Sequence, residues 1–375
     1  MSRDLLIDDF LDDAGWGPAE RIPMPGDASS RRYVRLRKGG ERAILMNQPP
    51  GAETSACPED ATPEERHALG YNAVARLAGP DVRPFAAIGL HLRACGFSAP
   101  AIIASDYANG FLLLEDLGDD LYARAIERGA DSPLLYAAAI DVLSRLHTQG
   151  VPSTLSAPGG FAMPLLAYDE TALIAEAELL IDWFLPVATG TAVHADQRAE
   201  YQALWRRVLA PVLQDEAVLV LRDYHAENLL WLPERRGEAR VGLIDFQDGL
   251  AGSRAYDLIS LTEDARRDVP PDLARAMLER YAQSARGHDR HFDEPAFRMA
   301  AAVLAAQRNA KIIGIFTRLW KRDGKPRYPL YHPRLWRYLE NDLAHPALAP
   351  LKAWFDKNIP PDRRLAAVRA VEAAI

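Results

Sequence analysis

Two stretches of the sequence decide the fold: residues 221–232, which read LRDYHAENLLWL, and residues 241–248, which read VGLIDFQD. Four residues separate Asp223 from Asn228, and each stretch contains a short apolar run. A polar turn joins the two runs, so they predict a β-hairpin. Asn228 would precede this hairpin and Asp245 would follow it. We therefore expect the two side chains to lie close together.

These three polar side chains suit one kind of chemistry. Phosphoryl transfer needs a carboxylate that orients an attacking hydroxyl and accepts its proton, and it needs oxygen ligands for Mg²⁺. We predict Asp223 as the catalytic base and Asn228 and Asp245 as the magnesium ligands. Kinases have the same order of residues in their catalytic loop and in the metal-binding turn that follows. Any one of the three alone would read as an ordinary turn residue.

A glycine-led segment, Gly26-Asp27-Ala28-Ser29-Ser30, precedes a strand-like run at residues 33–36. Small residues in such a turn let backbone amides and hydroxyls close over nucleotide phosphates. The alternative is a plain surface turn. Further apolar runs predict strands at residues 42–46, 101–104 and 110–114, and helical spacing predicts helices at 6–14, 85–94, 134–147 and 168–185. Residues 48–67, rich in proline and small residues, read as a mobile loop.

One expected kinase residue is missing. Protein kinases carry a phosphate-binding lysine at the end of the strand that corresponds to residues 42–46. Here that position falls to Met46. Arg31, Arg32 and Arg35 are the candidates to supply the charge, and the sequence does not choose among them.

Composition limits the class of protein. The chain has 375 residues, enough for two lobes, with ordinary hydrophobic and charged fractions of 49% and 26%. A net charge of −8 argues against a nucleic-acid partner. Cys57 and Cys95 are too few for a disulfide framework. We read no signal peptide and no apolar run of membrane-spanning length, so we expect a soluble cytoplasmic protein without a membrane partner.

Motifs along nearly the whole chain resemble those of the aminoglycoside phosphotransferase family, which has a kinase-like fold. Within that family, the chain most resembles the bacterial anomeric kinases that phosphorylate N-acetylmuramate and N-acetylglucosamine in peptidoglycan recycling. The stretches that carry the resemblance are residues 26–33, 112–118, 222–225, 245–248 and 308–325. Leu221 departs from the pattern, since a histidine usually precedes Arg222-Asp223. We expect altered packing there rather than lost chemistry, and for His225 a structural hydrogen bond.

The resemblance implies an α+β, bilobal protein-kinase-like fold. A small antiparallel-sheet lobe would span residues 1–116 and bind the nucleotide, and a larger helical lobe would span residues 117–375. It implies ATP and Mg²⁺ as cofactors. The implied nucleotide contacts are Ser29, Ser30, Arg31 and Arg32, together with the main chain of Glu115 and Leu117 in the connector after the last strand.

The acceptor pocket is implied at the helix near residues 168–185 and at the segment from Arg308 to Arg337. Carboxylates bind sugar hydroxyls, and aromatic rings stack on pyranose faces. Either tryptophan in these segments, Trp183 or Trp320, could instead belong to the core. The candidate substrate residues are Tyr168, Glu178, Trp183, Arg308 and Lys311.

Charge distribution leaves the acceptor open. Residues 161–200 contain seven acids and one base, whereas residues 306–340 contain nine bases and two acids. The basic block favours an amino-sugar kinase that reads the lactyl carboxylate of N-acetylmuramate. The acidic block favours a cationic acceptor such as an aminoglycoside, and both blocks could be solvated helix faces. The missing lysine permits a third reading, a nucleotide-binding pseudokinase, against which Asp223, Asn228 and Asp245 argue. The oligomeric state is not predicted.

Overall fold

The computed structural model describes residues 2–26, 30–51 and 53–373. Contacts divide it into two units, residues 1–166 with 221–250 (unit 1) and residues 167–220 with 251–375 (unit 2). Residues 117–166 therefore group with the N-terminal part of the chain. The lobe boundary at residue 116 stays a prediction, because a contact-based unit need not coincide with a kinase lobe.

The strands of unit 1 form one larger sheet and two hairpins. The sheet has the order β1-β2-β3-β5-β4, and its neighbouring strands are antiparallel. The strands are β1 (Glu20–Pro23), β2 (Arg32–Lys38), β3 (Glu41–Asn47), β4 (Ile102–Asp106), β5 (Phe111–Glu115), β6 (Thr154–Ala157), β7 (Phe161–Pro164), β9 (Leu229–Trp231) and β10 (Val241–Leu243). The remaining pair, β8 (Ala217–Val220) and β11 (Leu250–Ser253), begins and ends next to the unit boundaries.

Helix α1 (Arg3–Asp13) covers one face of the sheet. Its Phe10 and Leu11 pack on side chains of β2, β3 and β5, including Leu36 and Leu45, and all of these are buried. The other helices of unit 1 are α2 (Pro63–Leu69), α3 (Tyr71–Val74), α4 (Arg83–Ala94), α5 (Tyr122–Glu127) and α6 (Ser132–Leu146). Because strand side chains alternate, the neighbours of Leu36 and Leu45 point to the opposite face of the sheet.

Unit 2 is mainly helical. Helix α12 is the longest at 28 residues and is buried along most of its length. It packs on α7, α10 and α13. The helices are α7 (Glu170–Leu179), α8 (Leu185–Thr189), α9 (Ala195–Leu209), α10 (Ala255–Thr262), α11 (Pro271–His288), α12 (Glu294–Lys321), α13 (His332–Leu343), α14 (Ala349–Asn358) and α15 (Ala366–Glu372).

Most predicted elements are confirmed, one predicted loop was wrong in part, and one predicted helix differs in its first residue and in its local geometry. The expected loop at residues 48–67 ends in α2, because Thr62 and Glu65 form a capping box and Pro63 occupies the first helical turn. The expected helix at residues 168–185 begins only after Asp169, whose side chain caps α7. It then changes into a π-helix at Leu180–Phe184. The sequence signal for helical spacing does not distinguish these geometries.

Candidate active site

Two buried neighbours fix the loop that carries Asp223. Tyr224 is 2% exposed and donates its hydroxyl to the carbonyl of Ala139 on α6 at 2.8 Å. Arg222 has a left-handed backbone, φ 67°, and its guanidinium donates to the carbonyl of Ala75 at 3.0 Å. Asp223 lies between these two anchors and is itself half-buried. The loop is therefore held from behind while the carboxylate stays accessible.

The predicted hairpin brings the predicted metal ligands together. Strands β9 and β10 pair antiparallel, with Leu229 opposite Leu243. The amide nitrogen of Asn228 donates to the main-chain oxygen of Asp223 at 3.0 Å and to Oδ2 of Asp245 at 3.3 Å. Both partners accept hydrogen bonds, so the side-chain atom of Asn228 that faces them is the amide nitrogen. Its Oδ1 is then available to bind another ligand.

This donor set suits magnesium. Mg²⁺ is usually bound by one or two carboxylates together with substrate phosphates. Asp245 and Asn228 offer hard oxygen atoms. Burial raises the pKa of Asp245, and the nearby Asp223 adds to that shift. Within the described ranges no group of three or more His, Cys, Asp or Glu could hold a metal by itself. The two oxygen donors of Asn228 and Asp245 match the kind of site in which nucleotide phosphates supply the other ligands of Mg²⁺.

Asp245 keeps 36% of its side-chain surface accessible. Burial raises the pKa of Asp245, and the Arg31 guanidinium opposes that shift. Arg31 approaches Oδ1 of Asp245 to 3.5 Å, and Gln247 donates to the same oxygen at 3.1 Å. Asp245 also has a left-handed backbone, φ 60°. Strain of this kind concentrates at functional sites.

Residues after Asp245 anchor the turn. Phe246 is 1% exposed and stacks on Phe85 of α4 with ring centroids 4.6 Å apart. Asp248 accepts the amide of Ala78 at 2.6 Å. The sequence motif contained Asp248 but gave it no role. The signal was present in the segment 245–248, whereas its partner at residue 78 has no sequence signature.

The residues predicted to bind the nucleotide phosphates differ in the contacts that they make. Ser29 lies outside the described residues. The hydroxyl of Ser30 accepts a hydrogen bond from Gln48 at 2.8 Å and donates to Glu53, so its one proton is used inside the protein. Arg32 is exposed and bonds the main-chain oxygens of Ser30 and Arg31.

The connector after β5 is held by ion pairs. The Glu115 carboxylate accepts from Arg93 and Arg235, at 3.2 and 2.8 Å. Arg35 pairs with Asp116 at 2.8 Å, just before Leu117. These contacts fix the position of the connector. That the main chain of Glu115 and Leu117 contacts adenine stays a prediction.

A hydrogen-bonded cluster in unit 2 contains two of the predicted substrate residues. Lys311 pairs with the fully buried Glu176 at 2.8 Å, and Tyr168 donates to the same carboxylate. Gln307 on α12 and Tyr256 on α10 complete the cluster, through a bond to Glu176 at 3.3 Å and a hydroxyl contact with Tyr168 at 3.1 Å. Sequence reasoning selected Glu178 and missed Glu176. Both lie on α7, and the acidic block did not show which side of the helix each faces.

The other predicted substrate residues are placed elsewhere in unit 2. Glu178 accepts from Arg198 and Gln202 of α9, each at 2.7 Å. Trp183 is half-buried within the π-helix. Arg308 is 5% exposed and donates to the main-chain oxygen of Glu263 at 3.1 Å. The substrate roles of these residues remain predictions.

His225 has the structural bond that we expected. Its Nδ1 accepts the amide of Glu227 at 3.3 Å, and its Nε2 lies 3.4 Å from the Asn228 amide nitrogen. Leu221 is 2% exposed, so the position usually held by a histidine is an apolar contact here. Both residues support the loop.

Comparison with known proteins defines the class. The model of the phosphotransferase enzyme family matches residues 20–297. This is more than half of the chain, and the chain therefore belongs to that family. No helix in the described ranges combines the length and apolar composition that crossing a bilayer requires.

Two individual relatives within this family carry the same name. A Caulobacter vibrioides protein named N-acetylmuramate/N-acetylglucosamine kinase is 48% identical over 355 residues, which cover 95% of this chain and 96% of that protein. A Pseudomonas aeruginosa protein with the same name is 34% identical and covers 90% of this chain and 89% of its own length.

Solved structures show the fold. An aminoglycoside phosphotransferase in complex with GDP and kanamycin has a TM-score of 0.53 at 12% identity, covering 92% of this chain and 98% of that one. Choline kinase from Streptococcus pneumoniae has a TM-score of 0.51 at 14% identity, covering 99% of both chains. These neighbours, the antiparallel N-terminal sheet and the helical C-terminal region confirm the predicted α+β kinase-like fold.

Proposed function

We propose that this phosphotransferase is an ATP-dependent kinase that phosphorylates the anomeric hydroxyl of N-acetylmuramate and N-acetylglucosamine in peptidoglycan recycling. The observation that carries the proposal is the grouping of Asp223, Asn228 and Asp245 around one hairpin, in a chain 48% identical to a kinase named for these two sugars. The same grouping argues against a pseudokinase, since the predicted base and both predicted magnesium ligands are present.

In the proposed reaction Asp223 orients the sugar hydroxyl and accepts its proton as the oxygen attacks the γ-phosphorus of ATP. The bond from that phosphorus to the bridging oxygen breaks, and ADP leaves. Asn228 and Asp245 would hold magnesium, which neutralises phosphate charge when it is bound. Positioning contributes most of the rate in this reaction class, so a weak base suffices.

Charge pairing within unit 2 bears on the acceptor. Three carboxylates of the acidic block, Glu176, Glu178 and Asp182, pair with Lys311 or Arg198. Carboxylates that are already neutralised are poor ligands for a polycation, which disfavours an aminoglycoside acceptor.

The same pairing separates the two basic candidates for a lactyl carboxylate. Lys311 is neutralised by the buried Glu176. Arg308 donates to the main-chain carbonyl of Glu263 and lies near the carboxyl of the same residue, which Asn309 hydrogen-bonds and whose pKa is raised by burial. We therefore propose that Arg308 binds the lactyl carboxylate. We propose that Lys311 and Glu176 hold the side chain of Tyr168 in position.

A steady-state screen with N-acetylmuramate, N-acetylglucosamine and kanamycin tests the acceptor. A charge-assisted hydrogen bond to a partly desolvated carboxylate should lower KM for N-acetylmuramate about tenfold to a hundredfold relative to N-acetylglucosamine. Arg308→Met should remove most of that difference, and added salt should narrow it if solvent reaches the site.

Arg275→Met is the matched control, because Arg275 is a highly exposed arginine on α11 with a side-chain accessibility of 72%. It should leave the ratio of the two KM values unchanged. Turnover of kanamycin alone would overturn the amino-sugar assignment, and equal KM values for both sugars would overturn the role of Arg308. We also propose a cytoplasmic location, supported by the need for ATP and by cysteines that form no disulfide with each other.

A further inference from the structure

The strand that would carry the kinase lysine presents an apolar side chain instead. Met46 is 1% exposed and lies opposite Tyr33 in the pairing of β2 with β3. Leu36 and Leu45 point towards α1, so Tyr33, Arg35 and Met46 share the other face of the sheet. A substitute for the lysine should send its charge from this second face towards Asp245.

Of the three candidate arginines, Arg35 is committed elsewhere. It forms ion pairs of 2.8 Å with both Asp116 and Asp119. These bonds fasten β2 to the connector after β5. Arg32 alternates with Tyr33 along the strand and is exposed, and the bonds described above join it to main-chain oxygens of its immediate neighbours. Neither side chain pairs with Asp245 in the part of the chain that the structure describes.

Arg31 is the arginine that reaches the metal-binding turn. Its guanidinium is 3.5 Å from Asp245, and 16% of its side-chain surface is accessible. It also interacts with Tyr33, Glu53 and Asp248. A guanidinium has five N–H donors and stays charged at every relevant pH, so it can keep an acidic partner and still bind phosphate oxygens.

We infer that Arg31 replaces the absent strand lysine and binds the terminal phosphates of the nucleotide from beside Asp245. This inference rests on the proposed phosphotransferase function. It deepens that function by assigning the fixed positive charge to one residue, which the sequence left undecided among three. In this role Arg31 contacts the nucleotide directly and does not act only through the metal ligand.

Calorimetric titration of the full chain with ATP and with adenosine tests the inference, each in magnesium and in EDTA. The variants are Arg31→Ala, Arg31→Lys and the control Arg37→Ala. Arg37 is an exposed arginine in the same strand, so its removal changes the net charge equally. Thermal unfolding checks that every variant is folded.

We expect Arg31→Ala to weaken ATP binding about tenfold to a hundredfold, with adenosine binding unchanged, because the lost contact is to phosphate. The loss should persist in EDTA. Arg31→Lys should bind ATP with intermediate affinity, because it keeps the charge without the planar donor fork. Arg37→Ala should match the wild type.

Several results would overturn the inference. One is ATP affinity in Arg31→Ala equal to that in Arg37→Ala. Another is a loss that disappears in EDTA, since Arg31 would then act only through the metal held by Asp245. A lysine variant no better than alanine would also exclude a role for the charge. A wild-type chain that binds no ATP would instead contradict the proposed function itself.

Discussion

Asp223 is positioned by the residues on either side of it. Arg222 and Tyr224 reach carbonyl oxygens on the segment after α3 and on α6, so the two ends of the loop are fastened to different parts of unit 1. Neither bond uses the Asp223 carboxylate. A substitution at Asp223 should therefore change the chemistry while leaving the loop in place.

Replacing Asp223 with asparagine should lower kcat by about two to four orders of magnitude, because the amide cannot accept the proton of the hydroxyl. The unfolding temperature should stay near that of the wild type. Steady-state kinetics and a thermal melt measure the two quantities. Near-normal turnover by a folded variant would mean that another group is the base.

Sequence spacing predicted Asp223, Asn228 and Asp245, because a hairpin brings residues on either side of it together whatever surrounds it. It did not separate Arg31 from Arg32 and Arg35. That choice depends on which face of β2 each side chain occupies and on acids far away in the sequence, such as Asp119, which lies 84 residues from Arg35. Glu176 was missed in the same way, since its partner Lys311 lies on another helix.

At the scale of elements, α12 is held close to the junction of α7 and the π-helix. A Cβ atom added at Gly314 would lie 2.2 Å from the carbonyl carbon of Leu179 and 2.5 Å from the amide nitrogen of Leu180. Both are backbone atoms, which cannot turn away as a side chain can. Glycine is therefore required there for the two elements to approach.

Gly314→Ala should destabilise the chain by about 1–3 kcal/mol or more, because a methyl group would be forced against backbone. Gly287→Ala is the matched substitution, at an exposed helical glycine with open space around it. It should stabilise by about 0.5–1 kcal/mol, since alanine loses less backbone entropy on folding. Chemical denaturation measures both. Equal effects of the same sign would contradict the close approach.

At the scale of the whole molecule, stability should depend on a pair of carboxyl groups in unit 2. Asn309 of α12 donates to Glu263 at 2.6 Å and to Asp342 of α13 at 2.9 Å. Arg308 lies on the same side, through its bond to the Glu263 carbonyl. Burial raises the pKa of Asp342 well above its ordinary value, and the neighbouring Glu263 raises it further.

The raised pKa means that the folded chain keeps a proton on Asp342 at pH values where the unfolded chain has released it. The free energy of unfolding should therefore fall as pH rises above the ordinary aspartate value of about 3.9. Asp342→Asn cannot ionise, and its amide can still bond Glu263 and Asn309. It should raise the unfolding temperature by about 1–3 °C more at pH 8 than at pH 5.

The control for this pH effect is Asp272→Asn, at an acid whose side chain is 89% accessible. Its effect on the unfolding temperature should be the same at both pH values. If Asp342→Asn also shifts the unfolding temperature equally at pH 5 and pH 8, the extra proton of the folded state is not held by Asp342.

Unit 1 is discontinuous in sequence, so the ribosome makes its two parts at different times. Its first part ends at residue 166, and its second part begins only at residue 221. At about 5–20 residues per second, a ribosome makes the intervening 54 residues in roughly 3–11 s. During that time Tyr122 and Ser98 lack their later neighbours Trp231 and Gly242. Part of the core of unit 1 therefore stays exposed in the nascent chain until the second part is made. If translation stops within this interval, the product contains the sheet but none of the three predicted active-site residues.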